Sequence, residues 1–431
     1  MPKQSPKSLQ GRTMLVPNMS TVGSRCLAAA LSSLGINAVM SPPTDDRTLE
    51  LAARYTTGDE CLPQRVVLGN FLKQMAEPGF DPSKLALFIP TSSGPCRFGQ
   101  YAPLIKKILR EMGNEEVLVF SPTSSDQYES IAGNTIRFKR TAWRVVVTSD
   151  ILRKLVYMYR PYEKNPGDAD RIQTKHLDAV CEVFKNGGLS LSKQLRLLTG
   201  HLEAARDDFS KMPLKEPLKS RPLIGVVGEI FLRFNSVANQ QLIRHVEAHG
   251  GECWIADISE WIWYTNAERE RKLRDKKRSF SVEMLQVKIR DWVQHHDENK
   301  LLAPFNELFK DRKEPPVKDV LKNSEPYLPA RKALGEMTLN TGKAISFYQA
   351  GCDGVIDISP FTCMNGIVTE AVYPTVSRDH DGIPIRIFYF DGIPIRIFYF
   401  DGVPVELDRD LDIFMELVLS YRKKRLRLTV G

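Results

Sequence analysis

The sequence predicts an α/β protein made of two doubly wound parallel-sheet units, each interrupted by a helical insertion. Apolar runs such as 85–90 (LALFIP) and 223–227 (LIGVV) alternate with amphipathic segments, as in parallel sheets covered by helices on both faces. Strand patterns give way to helical periodicity over 141–220 and again over 257–345. The 431 residues are enough for two such units.

The first unit is predicted over 1–140, and its strand and helix patterns alternate. Strands are predicted at 13–17, 37–40, 85–90 and 116–120, with helices at 23–34, at 63–75 and from the loop around Cys96 through Met112. The first insertion follows over 141–220. It carries helical periodicity at 143–160, 168–186 and 191–212.

The second unit is predicted to begin over 221–256 and to continue over 346–431, on either side of the second insertion. Its strands are expected at 223–227, 252–256 and 354–358, and its helices at 239–249, from the loop around Cys363 through Ala371, and at 411–425. Ligands of such sheets bind at the carboxyl ends of the strands.

A direct repeat lies near the end of the chain, where residues 381–390 and 391–400 both read DGIPIRIFYF. A tandem duplication or an artefact of the source sequence would explain two identical decapeptides. Ten residues preserve strand alternation, so one copy is expected to form the sheet strand and the other to be surplus. The Asp391-Gly392 pair predicts a hairpin between them.

Composition and charge indicate which classes of binding partner the chain is expected to have. Sixty Lys and Arg against 52 Asp and Glu give a net charge of +8, but the two signs are interleaved and no nucleic-acid-binding motif occurs. No apolar run is long enough for a membrane span, and the first residues lack the apolar core of a signal peptide. Seven cysteines without a CxxC pair fit a reducing compartment. We therefore expect a cytoplasmic protein that binds neither nucleic acid nor membrane.

Three cysteines lie in turn-like contexts just before predicted helices. Cys61 lies in GDECLP, Cys96 in SGPCRFGQY and Cys363 in SPFTCMNG. Thiolates there would gain from the N–H groups and the positive dipole end of a helix. Three thiolates together indicate a soft-metal site, most simply an iron–sulfur cluster. The alternative is that each is a small buried hydrophobic residue.

The motifs of this chain resemble the 2-hydroxyacyl-CoA dehydratase superfamily, and within it the CoA-substrate-specific enzyme activase-related proteins. The resemblance is carried by GDECLP (58–63), GPCRFGQY (94–101), VVGEI (226–230) with Arg233, and ISPFTCM (358–364). These motifs are spread over most of the chain. The ATPase half of the activator is missing, because neither its Gly-rich phosphate loop nor a Walker A sequence occurs, and the duplicated decapeptide also departs from the family.

The resemblance implies a [4Fe–4S] cluster, or a larger cluster in some branches, held by Cys61, Cys96 and Cys363. It also implies a separate ATP-hydrolysing activator protein that delivers low-potential electrons for reducing or dehydrating an acyl-CoA-like substrate. Homo- or hetero-oligomeric assembly is expected. The three sulfurs are predicted to converge at the mouth between the two α/β units.

Two further residues are candidates for a catalytic role. Arg97 could place a positive charge beside Cys96, and Glu229 follows a predicted strand and could face the crevice. The sequence leaves open whether the chain is a dehydratase or reductase component. It could instead be a non-catalytic electron-relay or scaffold subunit, or an α/β binding protein with structural cysteines that hold zinc or nothing.

Overall fold

Two four-stranded, all-parallel sheets surrounded by helices form the framework, which confirms the predicted α/β class. The computed structural model describes residues 9–91, 94–123, 136–331, 333, 335–391, 397–398, 404–405 and 407–430. Internal contacts divide the chain into two units. The first unit consists of the segments Met1–Val145 and Leu177–Leu198, and the second unit consists of Val146–His176 and Thr199–Gly431. The insertion predicted over 141–220 is thus shared between them.

The first sheet has the strand order β2-β1-β3-β4. Its strands are β1 (Thr13–Val16), β2 (Asn37–Met40), β3 (Leu85–Phe88) and β4 (Leu118–Phe120), and the helices between them are α1 (Thr21–Ser32), α2 (Asp46–Ala53), α3 (Leu62–Met75) and α4 (Tyr101–Glu111). All four residues of β3 are buried, which explains its unbroken apolar sequence. Ser20 begins α1 by accepting the Gly23 N–H.

Three long helices follow in the region of the first insertion. They are α5 (Ile136–Tyr159), α6 (Asp168–Lys185) and α7 (Leu191–Ser210), close to the three helices that periodicity predicts. Burial follows that periodicity: in α6, for example, Leu177, Val180 and Phe184 are buried.

The second sheet repeats the topology of the first, with the order β6-β5-β7-β8. Its strands are β5 (Leu223–Gly228), β6 (Glu252–Ile255), β7 (Gly354–Pro360) and β8 (Ile385–Phe390). Its helices are α8 (Ile230–Phe234), α9 (Leu242–Ala248), α10 (Ile258–Asp275), α11 (Val282–Leu302), α12 (Val317–Ser324), α13 (Glu336–Gln349), α14 (Met364–Asp379) and α15 (Leu407–Val430). The second insertion is therefore the helical connection from β6 to β7.

Each unit contains a pair of helices that cross at a glycine just before the third strand of its sheet. A Cβ added to Gly69 in α3 would lie 1.9 Å from the carbonyl oxygen of Thr48 in α2. A Cβ added to Gly342 in α13 would lie 1.9 Å from the carbonyl oxygen of Val320 in α12. Only glycine allows the two helix backbones to approach this closely. The two units thus share a packing device as well as a strand order.

Buried ion pairs connect the second insertion with the rest of its unit. The Lys154 ammonium group lies 2.9 Å from a carboxylate oxygen of Asp257 and 3.0 Å from one of Glu314. Glu314 also pairs with Lys343, which is 1% exposed. Pairing offsets part of the cost of removing these charges from water. The charged residues of this helical region therefore contribute to its interior as well as its surface.

The first copy of the decapeptide supplies the strand of the second sheet, as predicted. Ile385–Phe390 pairs in parallel with β7. Of the second copy, Ile397–Phe398 (β9) pairs antiparallel with Pro404–Val405 (β10). The predicted Asp391-Gly392 hairpin includes Gly392, which lies outside the described residues.

In the parts of the chain that the structure describes, none of the helices is both long enough and apolar enough to cross a bilayer.

Candidate functional site

The seven cysteines fall into two groups by exposure. Cys96 is exposed, and Cys61 and Cys363 are partly exposed. The other four are buried, namely Cys26, Cys181, Cys253 and Cys352. The three cysteines of the sequence motifs are therefore the most exposed of the seven.

All three of these cysteines begin helices, as their sequence contexts predict. Cys61 is the N-cap residue of α3, Cys363 is that of α14, and Cys96 is that of a 3₁₀ turn, Arg97–Gln100, which leads into α4. Their backbone angles are alike, with φ between −55° and −71° and ψ between 124° and 131°. The N–H groups of a first helical turn stabilise negative charge, so at each of these cysteines they act in favour of the thiolate and against the effect of burial.

Cys96 and Cys363 occupy equivalent positions in the two units. Each follows the third strand of its sheet in chain order, β3 or β7, and precedes the helix that leads to the fourth. In this strand order the connections leave the first and third strands toward opposite edges, which opens a crevice at their carboxyl ends. Both cysteines are therefore at the place where α/β sheets bind ligands.

In the first unit, a hydrogen bond connects the Cys96 loop with the Cys61 loop. Arg97 Nη1 donates to the carbonyl oxygen of Asp59 at 2.8 Å. Glu60 stabilises the same turn, because its carboxylate accepts the N–H groups of Thr57 and Gly58. Partial burial opposes ionisation of Glu60, but these backbone hydrogen bonds outweigh it and lower the pKa of this carboxyl group. Arg97 thus holds together the two loops that carry Cys61 and Cys96.

In the second unit, Cys363 lies in an acidic environment. Burial raises the pKa of its thiol to about 11, and the nearby carboxyl groups of Glu229 and Glu336 act in the same direction. Hydrogen bonds from the N–H groups of Gly366 and Asn365 partly oppose the shift. Without a bound cation, this thiol is therefore protonated at neutral pH.

Glu229 acts as a helix cap in this structure. Its Oε1 accepts the N–H of Phe231 at 3.0 Å and its Oε2 accepts the N–H of Leu232 at 2.9 Å. Its own N–H donates to the carbonyl oxygen of Ile358 in β7. Glu229 thereby joins the ends of β5 and β7, beside the loop that carries Cys363.

Glu336 is a site residue that sequence reasoning missed. It is the first residue of α13, and its Oε1 accepts the N–H of Ile230 at 2.9 Å. Burial raises the pKa of Glu336 to about 8, and the charge of Glu229 adds to the shift. The signal was a Gly-Glu pair before a helix, since Gly335-Glu336 repeats Gly228-Glu229.

Arg233, part of a sequence motif, brings a positive charge to this crevice. It is 5% exposed, and its Nη1 donates to the carbonyl oxygen of Ala256 at 3.0 Å. Its charge opposes the rise in pKa of Glu229, Glu336 and Asp357. Burial nevertheless raises the pKa of Asp357 to about 6, although hydrogen bonds from Tyr373 and Thr369 oppose this.

The donor chemistry of the three cysteines fits an iron–sulfur cluster, although their assembly into one site stays a prediction. Thiolates at helix N-termini with an accessible face are suitable ligands for iron, and a cation would offset the acidic surroundings of Cys363. Cys61 and Cys96 belong to the first unit and Cys363 to the second. Within the described ranges, no three His, Cys, Asp or Glu side chains are arranged to hold a metal ion.

No protein-family model matches this chain, and a comparison with curated proteins finds no match. Its function is therefore inferred from the site residues and from the motif resemblance.

Proposed function

We propose that this chain is an iron–sulfur protein that takes low-potential electrons from an ATP-hydrolysing partner and reduces or dehydrates an acyl-CoA-like substrate. One observation carries the proposal. Of seven cysteines, the three that are not buried are the three that begin helices, and they are the three in the motifs. Cysteines that serve only as small buried hydrophobic residues would not be expected to combine exposure, a position at a helix start and a place in a sequence motif.

Cys61, Cys96 and Cys363 would hold the cluster. When bound, it supplies low-potential electron transfer and a Lewis-acidic iron. The N–H groups at the helix N-termini act in favour of the thiolate form, and at Cys363 they oppose the effect of burial, which raises the pKa of its thiol. Arg97 keeps the loops of Cys61 and Cys96 together through its bond to Asp59.

The chain also offers a group that holds a proton near Cys363. With a pKa raised to about 8, the Glu336 carboxyl group is largely protonated at neutral pH. Its neighbour Glu229 is fixed by the two backbone N–H groups that it accepts. Glu336 can therefore retain a proton close to a ligand of the cluster, which suits a reaction that couples electron and proton transfer.

The remaining parts of the proposal follow from the resemblance. Electron delivery requires a separate activator protein, because the chain lacks a nucleotide-binding phosphate loop. Such chemistry belongs in the cytoplasm and in a homo- or hetero-oligomeric complex. Purified chain alone should not hydrolyse ATP, and ATP turnover by the isolated protein would contradict this assignment.

Anaerobic reconstitution with iron and sulfide tests the ligand set. Iron and sulfide content and the EPR spectrum after reduction with titanium(III) citrate are measured for wild type and for three variants, Cys61→Ser, Cys96→Ser and Cys363→Ser. Each variant should lose most of its iron, because serine is a poor ligand for a soft metal. Cys253→Ser is the matched control, since Cys253 is buried in β6. Equal iron content in all four variants would exclude the proposed site.

Turnover separates a catalytic chain from an electron relay. The reconstituted, chemically reduced protein is incubated with 2-hydroxyacyl-CoA thioesters, and the product is followed by mass spectrometry. Dehydrated or reduced thioester is the expected result. A cluster that is reduced and reoxidised without any product would favour the relay or scaffold role.

A further inference from the structure

Two buried cysteines outside the proposed cluster site contact each other in the first unit. Cys26 lies in α1 and Cys181 lies in α6, and their Sγ atoms are 3.9 Å apart. The two residues are separated by 155 positions in the sequence. We propose that Cys26 and Cys181 form a reversible disulfide, and thus a site of oxidative modification that fastens α1 to α6.

The contact distance supports this pairing. A disulfide needs its sulfur atoms at about 2.05 Å, and thiols that already touch can reach that distance by small rotations about their side-chain bonds. An exposed ion pair joins the same two helices next to the thiols, since Arg25 Nη2 lies 2.6 Å from Asp178 Oδ1. The two helices are therefore neighbours at a second contact beside the cysteines.

Access and reactivity differ between the two thiols. Cys26 is fully buried, whereas Cys181 is 9% exposed and lies one helical turn beyond the exposed Asp178. A hydrogen bond with Cys26 lowers the pKa of Cys181, despite its burial, and the positive charge of Arg25 adds to this effect. Cys181 is thus the attacking thiol and Cys26 the resolving thiol.

The reaction needs an external disulfide as oxidant, and glutathione disulfide serves as the probe. The Cys181 thiolate attacks one sulfur of glutathione disulfide, forming a mixed disulfide and releasing one glutathione thiolate. The Cys26 thiolate then attacks Cys181 Sγ and releases the second glutathione. The protein loses two protons and two electrons, and the oxidant becomes two reduced glutathione molecules.

Peptide mapping of wild-type protein tests the proposal. The folded chain is incubated anaerobically with glutathione disulfide, blocked with iodoacetamide and digested with trypsin without reduction. Cleavage after Arg25, Arg47, Lys175 and Lys185 isolates the two cysteines on peptides 26–47 and 176–185. We expect these peptides to appear cross-linked, at about tenfold higher yield than any cross-link from Cys26 to another cysteine, because contact raises the effective concentration. Dithiothreitol should release them.

Two variants control for non-specific oxidation. Cys181→Ser should abolish the cross-link to peptide 26–47, and Cys253→Ser should leave it unchanged, since Cys253 belongs to the second unit. If peptides 26–47 and 176–185 stay separately alkylated or glutathionylated while Cys96 is oxidised, the proposal is wrong. A cross-link formed only in urea would also contradict it, because the folded contact would then play no part. The wild-type map decides the question even if a variant fails to fold.

Discussion

Replacing the crossing glycines by alanine should destabilise both units. At Gly69→Ala the new methyl group would lie 1.9 Å from the Thr48 carbonyl oxygen, and at Gly342→Ala it would lie 1.9 Å from that of Val320. Each obstacle is a backbone atom that cannot rotate away. The methyl group is accommodated only if the two helices separate.

The expected change in unfolding free energy follows from two opposing effects. Inserting a methyl group into a packed interior costs about 1–3 kcal/mol, and a backbone obstacle belongs at the upper end of that range. Alanine in a helix recovers about 1 kcal/mol relative to glycine. The net loss in unfolding free energy is about 2 kcal/mol, which corresponds to a fall of about 4–8 °C in Tm on the scaling that holds for domains of roughly 150–250 residues.

Gly200→Ala supplies the matched control. Gly200 lies within α7, is exposed, and a Cβ built there meets no atom within 4 Å. This substitution should therefore raise stability by up to about 1 kcal/mol. Circular dichroism during thermal unfolding compares the three variants with wild type. A Tm for Gly69→Ala or Gly342→Ala equal to that of Gly200→Ala would refute the close crossing of the helices.

Three further outcomes are expected. Because burial raises the pKa of Asp357 from 3.8 to about 6, the folded protein holds a proton at this carboxyl group that the unfolded chain loses. The contribution of Asp357 to the urea unfolding free energy should therefore fall as pH rises from about 4 to 6, so the unfolding free energy of Asp357→Asn should rise relative to that of wild type over this range; parallel pH profiles would be the contrary result. On α11, Val287→Gln should lower the unfolding free energy by about 2–3 kcal/mol, because Val287 is 2% exposed, whereas Leu285→Gln should lower it by less than about 0.5 kcal/mol, because Leu285 is 60% exposed. Similar melting temperatures for the two variants would contradict this expectation. Arg97→Gln should lower iron retention after reconstitution while Arg110→Gln, at an exposed ion pair, should not; equal iron in both would show that the bond to Asp59 is dispensable.

Local patterns predicted the sheets and the helix starts well. The run at 85–90 predicted β3 because strands buried on both faces are apolar throughout. The helix starts at Cys61 and Cys363 were predictable since turn residues precede apolar helical patterns there.

The sequence alone could not predict contacts between segments that are far apart in the chain. Glu336 bonds to Ile230, 106 positions away, and Lys154 pairs with Glu314, 160 positions away. Local periodicity carries no information about such partners, so these buried charges could not be told from surface ones. The crossing at Gly69 was likewise hidden, because a lone glycine in a helical pattern does not show what packs against it.

The position of the duplicated decapeptide in the fold helps to explain how a chain that carries it could be retained by selection. Its first copy forms β8, the last strand of the order β6-β5-β7-β8, and the extra residues follow it before α15 begins at Leu407. A tandem duplication at this point would add ten residues after the last residue pair between β7 and β8, so the register from Val355↔Ile385 to Pro360↔Phe390 would be left intact. The same insertion between β5 and Glu229 would separate the carboxylate from the strand that positions it. Selection could therefore tolerate a lengthening here that it would remove beside the crevice.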